Sequence, residues 1–230
     1  MFNSRSLSAI ITLSIVLLVS SCDVKVKPIE GGKEIAQELE RHKIKRLTQQ
    51  DILNAALKHG DSVVVVAQRL HVQRMAGHLA QGGVEAAIPY CQPENYEEVE
   101  ALQHKFGAIS RRFREQPRNP QNQAKGATAQ MLARYSSGQE RASKVEALTK
   151  DEIRYTSPIY LRDESCLSCH GTVGQDVSET DYALIKEKYP QDQAIGYRRG
   201  DLMGMWELTF DKMDLVAYLN DQPKKSRRPR

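Results

Sequence analysis

The sequence predicts an α+β domain in which long helices come first and an antiparallel sheet closes the chain. Three observations carry this. Apolar residues recur at three- and four-residue spacing through the first half, as in Val72, Met75, Ala76 and Leu79. Two later stretches, "DEIRYTSPIYL" and "MGMWELTF", alternate instead, which places Ile153, Tyr155, Ile159 and Leu161 on one strand face and Trp206, Leu208 and Phe210 on another. Between the halves, "QPRNPQNQAKG" is turn material, with prolines and with asparagines that hydrogen-bond their own backbone.

In chain order, "MFNSRSLSAIITLSIVLLVSSC" carries one early cation, Arg5, and then an apolar run from Leu7 to Val19. The run is shorter than the roughly 20 residues needed to span a bilayer, so it reads as the core of an export signal over residues 1–21. The "VSSC" at its end resembles the lipobox of bacterial lipoproteins. That resemblance makes Cys22 the lipid-bearing first residue of the mature protein, and Asp23 behind it suggests retention at the outer face of the cytoplasmic membrane. Residues 22–32 read as a tether broken by Pro28, Gly31 and Gly32.

A single domain is expected over residues 33–220. Lys33 to Leu57 favours helix, with Ile35 and Leu39 one turn apart. The valines of "GDSVVVVAQRLHVQRMAGHLAQGG" could form a strand, but the spacing that follows them makes one long helix stopped at Gly82–Gly83. "VEAAIPYCQ" is a short helical piece interrupted at Pro89. "ENYEEVEALQHKFG" resumes with Val99, Leu102 and Phe106 on one face, and a further helix is expected near residues 124–135.

Of the 230 residues, 40% are hydrophobic and 27% charged, which suits a globular domain. The net charge is +4, but the closing "KKSRRPR" holds five cations, so what precedes it is close to neutral. The basic character belongs to a tail at residues 221–230 and gives no nucleic-acid surface. No nucleophile–base pair or hydrolase motif points to an enzyme.

The chemistry is concentrated in "ESCLSCHG", where Cys166 and Cys169 are followed at once by His170. A zinc site would need a second ligand pair, which the chain lacks unless Cys91 contributes. A thioredoxin-like dithiol is expected in a βαβ context that is absent here. The Cys-x-x-Cys-His pattern is a c-type haem attachment signature: two thiols add to two vinyl groups, and the next imidazole becomes an axial ligand. Behind an export signal this reading gains weight, because haem attachment occurs outside the cytoplasm.

Candidates for the iron's other face are Met75, Met203, Met205, His71, His78, His104 and Cys91. With Cys22, Cys166 and Cys169 accounted for, Cys91 is the remaining one of four cysteines. A lone thiol in an oxidising compartment calls for burial or a metal.

The order of "AAIPYCQPE", "PRNPQNQ", "CLSCHG" and "YPQDQAIGYRRGDLMGMW" resembles the bacterial single-haem c-type proteins with a PAS-like domain. The resemblance spans roughly Ala56 to Phe210. It implies a PAS-like antiparallel sheet with long N-terminal helices, and one covalent haem c. It further implies that His170 and Cys91 hold the iron from opposite sides. The functions expected from it are a membrane-anchored redox or diatomic-gas sensing module, which would signal through a periplasmic or membrane protein partner, or a periplasmic electron-transfer cytochrome.

Overall fold

A computed structural model describes residues 29–41 and 46–222. The export signal, Cys22, residues 23–28 of the tether and residues 223–230 of the tail lie outside the described residues. No helix among the described residues is long and apolar enough to cross a membrane.

The chain divides into two compact units, Met1–Glu40 and Arg41–Arg230. The described part of the first contains most of helix α1 (Gly32–Arg41), on which Ile35 and Leu39 are both exposed. The helix expected from Lys33 to Leu57 is therefore two helices. Helix α2 (Gln49–Ala87) starts afresh from a capping box, in which Thr48 Oγ1 accepts from the Asp51 amide at 3.1 Å and the Asp51 carboxylate accepts from the Thr48 amide at 2.9 Å.

The valine run is helical. Ala56, His59, Gly60, Val63, Val64 and Ala67 recur at helical spacing and bury one stripe of α2. Gly82 and Gly83 break its dihedrals as expected, Gly83 at φ +65°, and helix resumes for Val84–Ala87. Pro89 then sits inside a 3₁₀ turn, Ile88–Tyr90, and Cys91 caps that turn rather than lying in an α-helix.

The second unit continues with α3 (Glu97–Phe106), β1 (Ala108–Phe113), α4 (Gly126–Ser136), β2 (Lys144–Ala147), β3 (Glu152–Tyr160), α5 (Leu167–His170), α6 (Glu179–Lys188), β4 (Leu202–Asp211) and α7 (Lys212–Asp221). The four strands form one antiparallel sheet in the order β1-β4-β3-β2. The architecture is α+β with an antiparallel sheet, as the sequence indicates. The simple succession of helices followed by strands does not hold: β1 comes early, α4, α5 and α6 interleave, and helix α7 follows the last strand.

One face of the sheet packs on α2, α3 and α7. Ile153, Tyr155, Trp206, Leu208 and Phe210 meet Ala56, Val63, Val64, Val99, Phe106 and Leu215 there. Gly60 lets α2 lie against Tyr155: a Cβ on it would come within 2.4 Å of that ring. His59 stacks on Phe106 with ring centroids 4.2 Å apart. A second cluster sets Met131, Leu132 and Tyr135 of α4 against Met205. A third joins Val84 and Ile88 to Cys169, Val177 and Ile185, and so ties the end of α2 to the helical segment bearing the paired cysteines.

Candidate functional site

Cys166 closes a one-turn 3₁₀ segment, Glu164–Cys166, started by Asp163, whose Oδ1 accepts from the Ser165 amide at 2.9 Å. α5 follows without a break, so the spacing of three positions places Cys166 and Cys169 on one side of a continuous helical stretch. His170 is the last residue of α5, and its backbone carbonyl accepts from Tyr197 at 2.9 Å.

The two thiols and His170 line a cavity of about 70 Å³ together with Cys91, His71, Met75, Arg112, Arg114 and Arg118. A broader cleft of about 620 Å³ shares His71, Arg112, Arg114, Cys166 and His170 and adds Met203 and Trp206. All three predicted residues of the motif and the upstream cysteine are thus brought to one place. None of Cys91, Cys166 and Cys169 is in a disulfide.

His170 Nδ1 lies 2.7 Å from the carbonyl oxygen of Ala194. A carbonyl only accepts, so Nδ1 carries the hydrogen and Nε2 keeps its lone pair for a metal. Arg118 Nη2 is 3.5 Å from the same nitrogen, too long to compete. Loss of hydration, with the guanidinium groups of Arg118 and Arg114 nearby, holds the His170 ring neutral well below the usual histidine range.

Burial pushes the Cys169 thiol up to about 11, reinforced by Cys91 beside it, and it raises Cys166 as well. Cys91 is also raised by burial, while Arg118, Arg112 and Arg114 act the other way. A neutral buried thiol ringed by guanidinium groups becomes a stable anion once a metal takes the place of its proton.

The cysteine turn is braced on several sides. Arg112 donates to the Cys91 carbonyl, and its Nε pairs with Glu94 Oε2 at 2.8 Å. Tyr96 donates to the Tyr90 carbonyl at 2.6 Å, so the His71 Nδ1 that lies 3.1 Å from Tyr96 Oη is the donor of that pair. His78 stacks on Tyr90 with centroids 3.7 Å apart.

The remaining candidates for a second ligand separate clearly. Met75 and His71 line the smaller cavity, and Met203 lines the cleft. Met205 is fully buried in the α4 cluster, and His104 lies elsewhere, beside Lys105, Asp211 and Asp214. Among the described residues, no group of three or more His, Cys, Asp or Glu side chains is arranged to hold a metal ion by itself, as a zinc site would require.

What the sequence reading missed is the arginine set. Arg118 is buried with Asp192 (Nε to Oδ1 3.1 Å), and it also donates to the Cys169 carbonyl. Four buried side-chain polar atoms among the described residues have no hydrogen-bond partner, and three of them, Arg114 Nη1, Arg118 Nη1 and Trp206 Nε1, belong to residues lining this site. Natural interiors leave few such atoms, and each calls for an explanation. Two thiols three positions apart, an imidazole with a free Nε2, a third thiol and unsatisfied cationic donors together fit a carboxylate-bearing porphyrin.

A family model described as Tll0287-like matches residues 80–210, more than half of the chain. No curated protein matches. A solved structure titled as the cyanobacterial heme-protein Tll0287 is similar at 25% identity with a TM-score of 0.46, over 64% of this chain and 92% of that one. The matched segment contains Cys91, the cysteine pair, His170 and the whole sheet except Asp211, the last residue of β4.

Proposed function

The chain belongs to the Tll0287-like family, and from that membership we propose that it is a c-type haem protein. In this reading one haem is joined by thioether bonds to Cys166 and Cys169, with His170 and Cys91 as the protein ligands of its iron. The observation that carries the reading is that all four side chains line one cavity, with His170 Nε2 left free by the Ala194 hydrogen bond. When bound, the haem supplies one-electron iron chemistry whose potential is tuned by its axial donors.

The chain's own residues set that tuning. Ala194 fixes the orientation of His170 and raises its basicity as a ligand. Cys91 offers an anionic sulfur, which favours the ferric state. Cys91 sits on a short 3₁₀ turn between the Gly82–Gly83 break and α3, a place where a change of partner at sulfur can be passed to the backbone. That supports a redox or diatomic-gas sensing module over a plain electron carrier. We place it on the periplasmic side of the cytoplasmic membrane, held by lipid on Cys22, with a membrane or periplasmic protein receiving the signal.

The test is the full-length exported chain. Acid-acetone should leave the pigment on the polypeptide, and the intact mass should carry one haem. Reduction should open the iron to carbon monoxide. Extractable pigment overturns covalent attachment, and a reduced form closed to carbon monoxide favours the electron carrier. Cys22→Ser should release the exported protein from membranes, and unchanged membrane retention would remove the lipid anchor.

A further inference from the structure

Three arginines from one stretch of chain, Arg112, Arg114 and Arg118, are buried around the cavity. Two have carboxylates: Arg112 pairs with Glu94 at 2.8 Å and Arg118 with Asp192 at 3.1 Å. Arg114 has no carboxylate within ion-pair distance among the described residues, and its Nη1 is buried with no hydrogen-bond partner. A cation taken out of water without a counter-charge costs folding stability, so its retention calls for an anion.

The backbone holds Arg114 in place. Its amide donates to Asn122 O and its carbonyl accepts from the Ala124 amide, both at 2.9 Å. Its stem passes over Gly204, where a Cβ would come within 2.7 Å of Arg114 Cγ. The side chain borders both the smaller cavity and the cleft, alongside Cys166 and His170. Burial and the neighbouring Arg112 lower its pKa to about 10, so it keeps its charge at neutral pH. By contrast, Arg69 and Arg162 at the cleft are exposed and solvated.

We propose that Arg114 is the carboxylate-binding residue of this site and pairs with a propionate group of the occupant, an assignment that rests on the haem reading above. A guanidinium presents two parallel donors that match a carboxylate, and a buried pair of this kind keeps the acid ionised. The occupant's carboxylate thereby supplies the counter-charge that the fold omits.

The test uses the haem-loaded full chain, with Arg114→Met, Arg114→Gln and Arg114→Lys, and follows the midpoint potential by spectroelectrochemistry from pH 5 to 8. The parent should be nearly flat over that range. In Arg114→Met the propionate loses its partner in a dry site and takes up a proton within the range. The reduced-to-oxidised ratio at fixed applied potential should then change about tenfold, equivalent to about 59 mV for one electron. Arg114→Lys should restore most of the flatness, and Arg114→Gln serves in place of the methionine variant if that one fails to fold. A profile parallel to the parent, displaced or not, overturns the proposal and leaves Arg114 as a counter-ion to the Cys91 sulfur or a structural cation. A parent chain whose mass carries no haem is a separate result, which removes the haem reading itself.

Discussion

The Nδ1 atom of His170 stands 2.7 Å from the carbonyl oxygen of Ala194, a residue 24 positions later in the chain. The same short segment carries Asp192, whose Oδ1 accepts from the Ala194 amide at 3.0 Å and from Arg118 Nε at 3.1 Å. Arg118 in turn donates to the Cys169 carbonyl. The ring direction of the histidine and the backbone of the paired cysteines are therefore set by one buried ion pair.

Removing one member of that pair should be costly. Asp192→Asn leaves the Arg118 guanidinium buried without its counter-charge, an effect of about 3 kcal/mol. Urea unfolding of the haem-loaded protein measures it. A loss below about 1 kcal/mol would show that water satisfies Arg118 and that the pair does not position the motif.

Cys91→Ala separates packing from ligation. The side chain is small and half-buried, so the cavity cost should be on the order of 1 kcal/mol. The loss of an anionic donor should shift the oxidised absorption spectrum, raise the potential and admit imidazole or carbon monoxide. Met203→Ala and Met205→Ala should leave the spectrum unchanged. A silent Cys91→Ala beside an active methionine variant would make this a Met-ligated carrier.

The parts of the fold that could be read in the sequence are those whose buried face is apolar. Val63, Val64 and Ala67 on α2, and Trp206, Leu208 and Phe210 on β4, announce their elements because period and hydrophobicity agree. β1 could not be read this way because the relation is inverted: Ile109 is 67% exposed while Ser110 and Arg112 face inward. That inversion is also why the arginine set went unseen. β2 is four residues long with no buried position, and nothing in its pattern sets it apart from a loop. The paired cysteines and His170 stand out by their spacing, whereas the role of Cys91 is an expectation carried by the family resemblance. Asp192 and Ala194 were not, since their role depends on a chain reversal that brings residues 117–118 beside residues 192–194, as the Gln193 amide bond to Pro117 O shows.

His71 gives an acid sensitivity whose sign is fixed. Burial, with Arg112 and Arg114 facing it across the cavity, lowers its folded pKa to about 3, against 6.5 when exposed. Below pH 6.5 the unfolded chain takes up a proton that the folded chain refuses. Stability is therefore constant above that pH and falls as pH drops towards 3. At pH 5 this amounts to about 2 kcal/mol. His71→Gln, which can still hydrogen-bond Tyr96, should recover most of that difference between pH 7 and pH 5 in urea titrations. An equal acid loss in both proteins would assign the sensitivity to carboxylates instead.

Two glycines of similar appearance should respond in opposite directions. Gly77 lies on α2 with open space where a side chain would stand, so Gly77→Ala should stabilise by up to about 1 kcal/mol through helix propensity. Gly204 lies on β4, where a Cβ would come within 2.4 Å of the Phe113 carbonyl oxygen and 2.7 Å of Arg114 Cγ. The first of these is backbone of the neighbouring strand and cannot swing aside. The pairing with β3 is already irregular at this point, between Ile159, opposite Gly204, and Tyr160. Gly204→Ala must therefore push β1 away from β4 and lift the Arg114 stem, at a cost of about 3 kcal/mol by the measure of overpacked cores. The displacement should also reach the haem: the altered seat of Arg114 should reproduce, in weaker form, the pH-dependent potential expected of Arg114→Met. A Gly204→Ala protein as stable as its parent would mean that β1 is loosely held, and the tight seating of Arg114 would be lost with it.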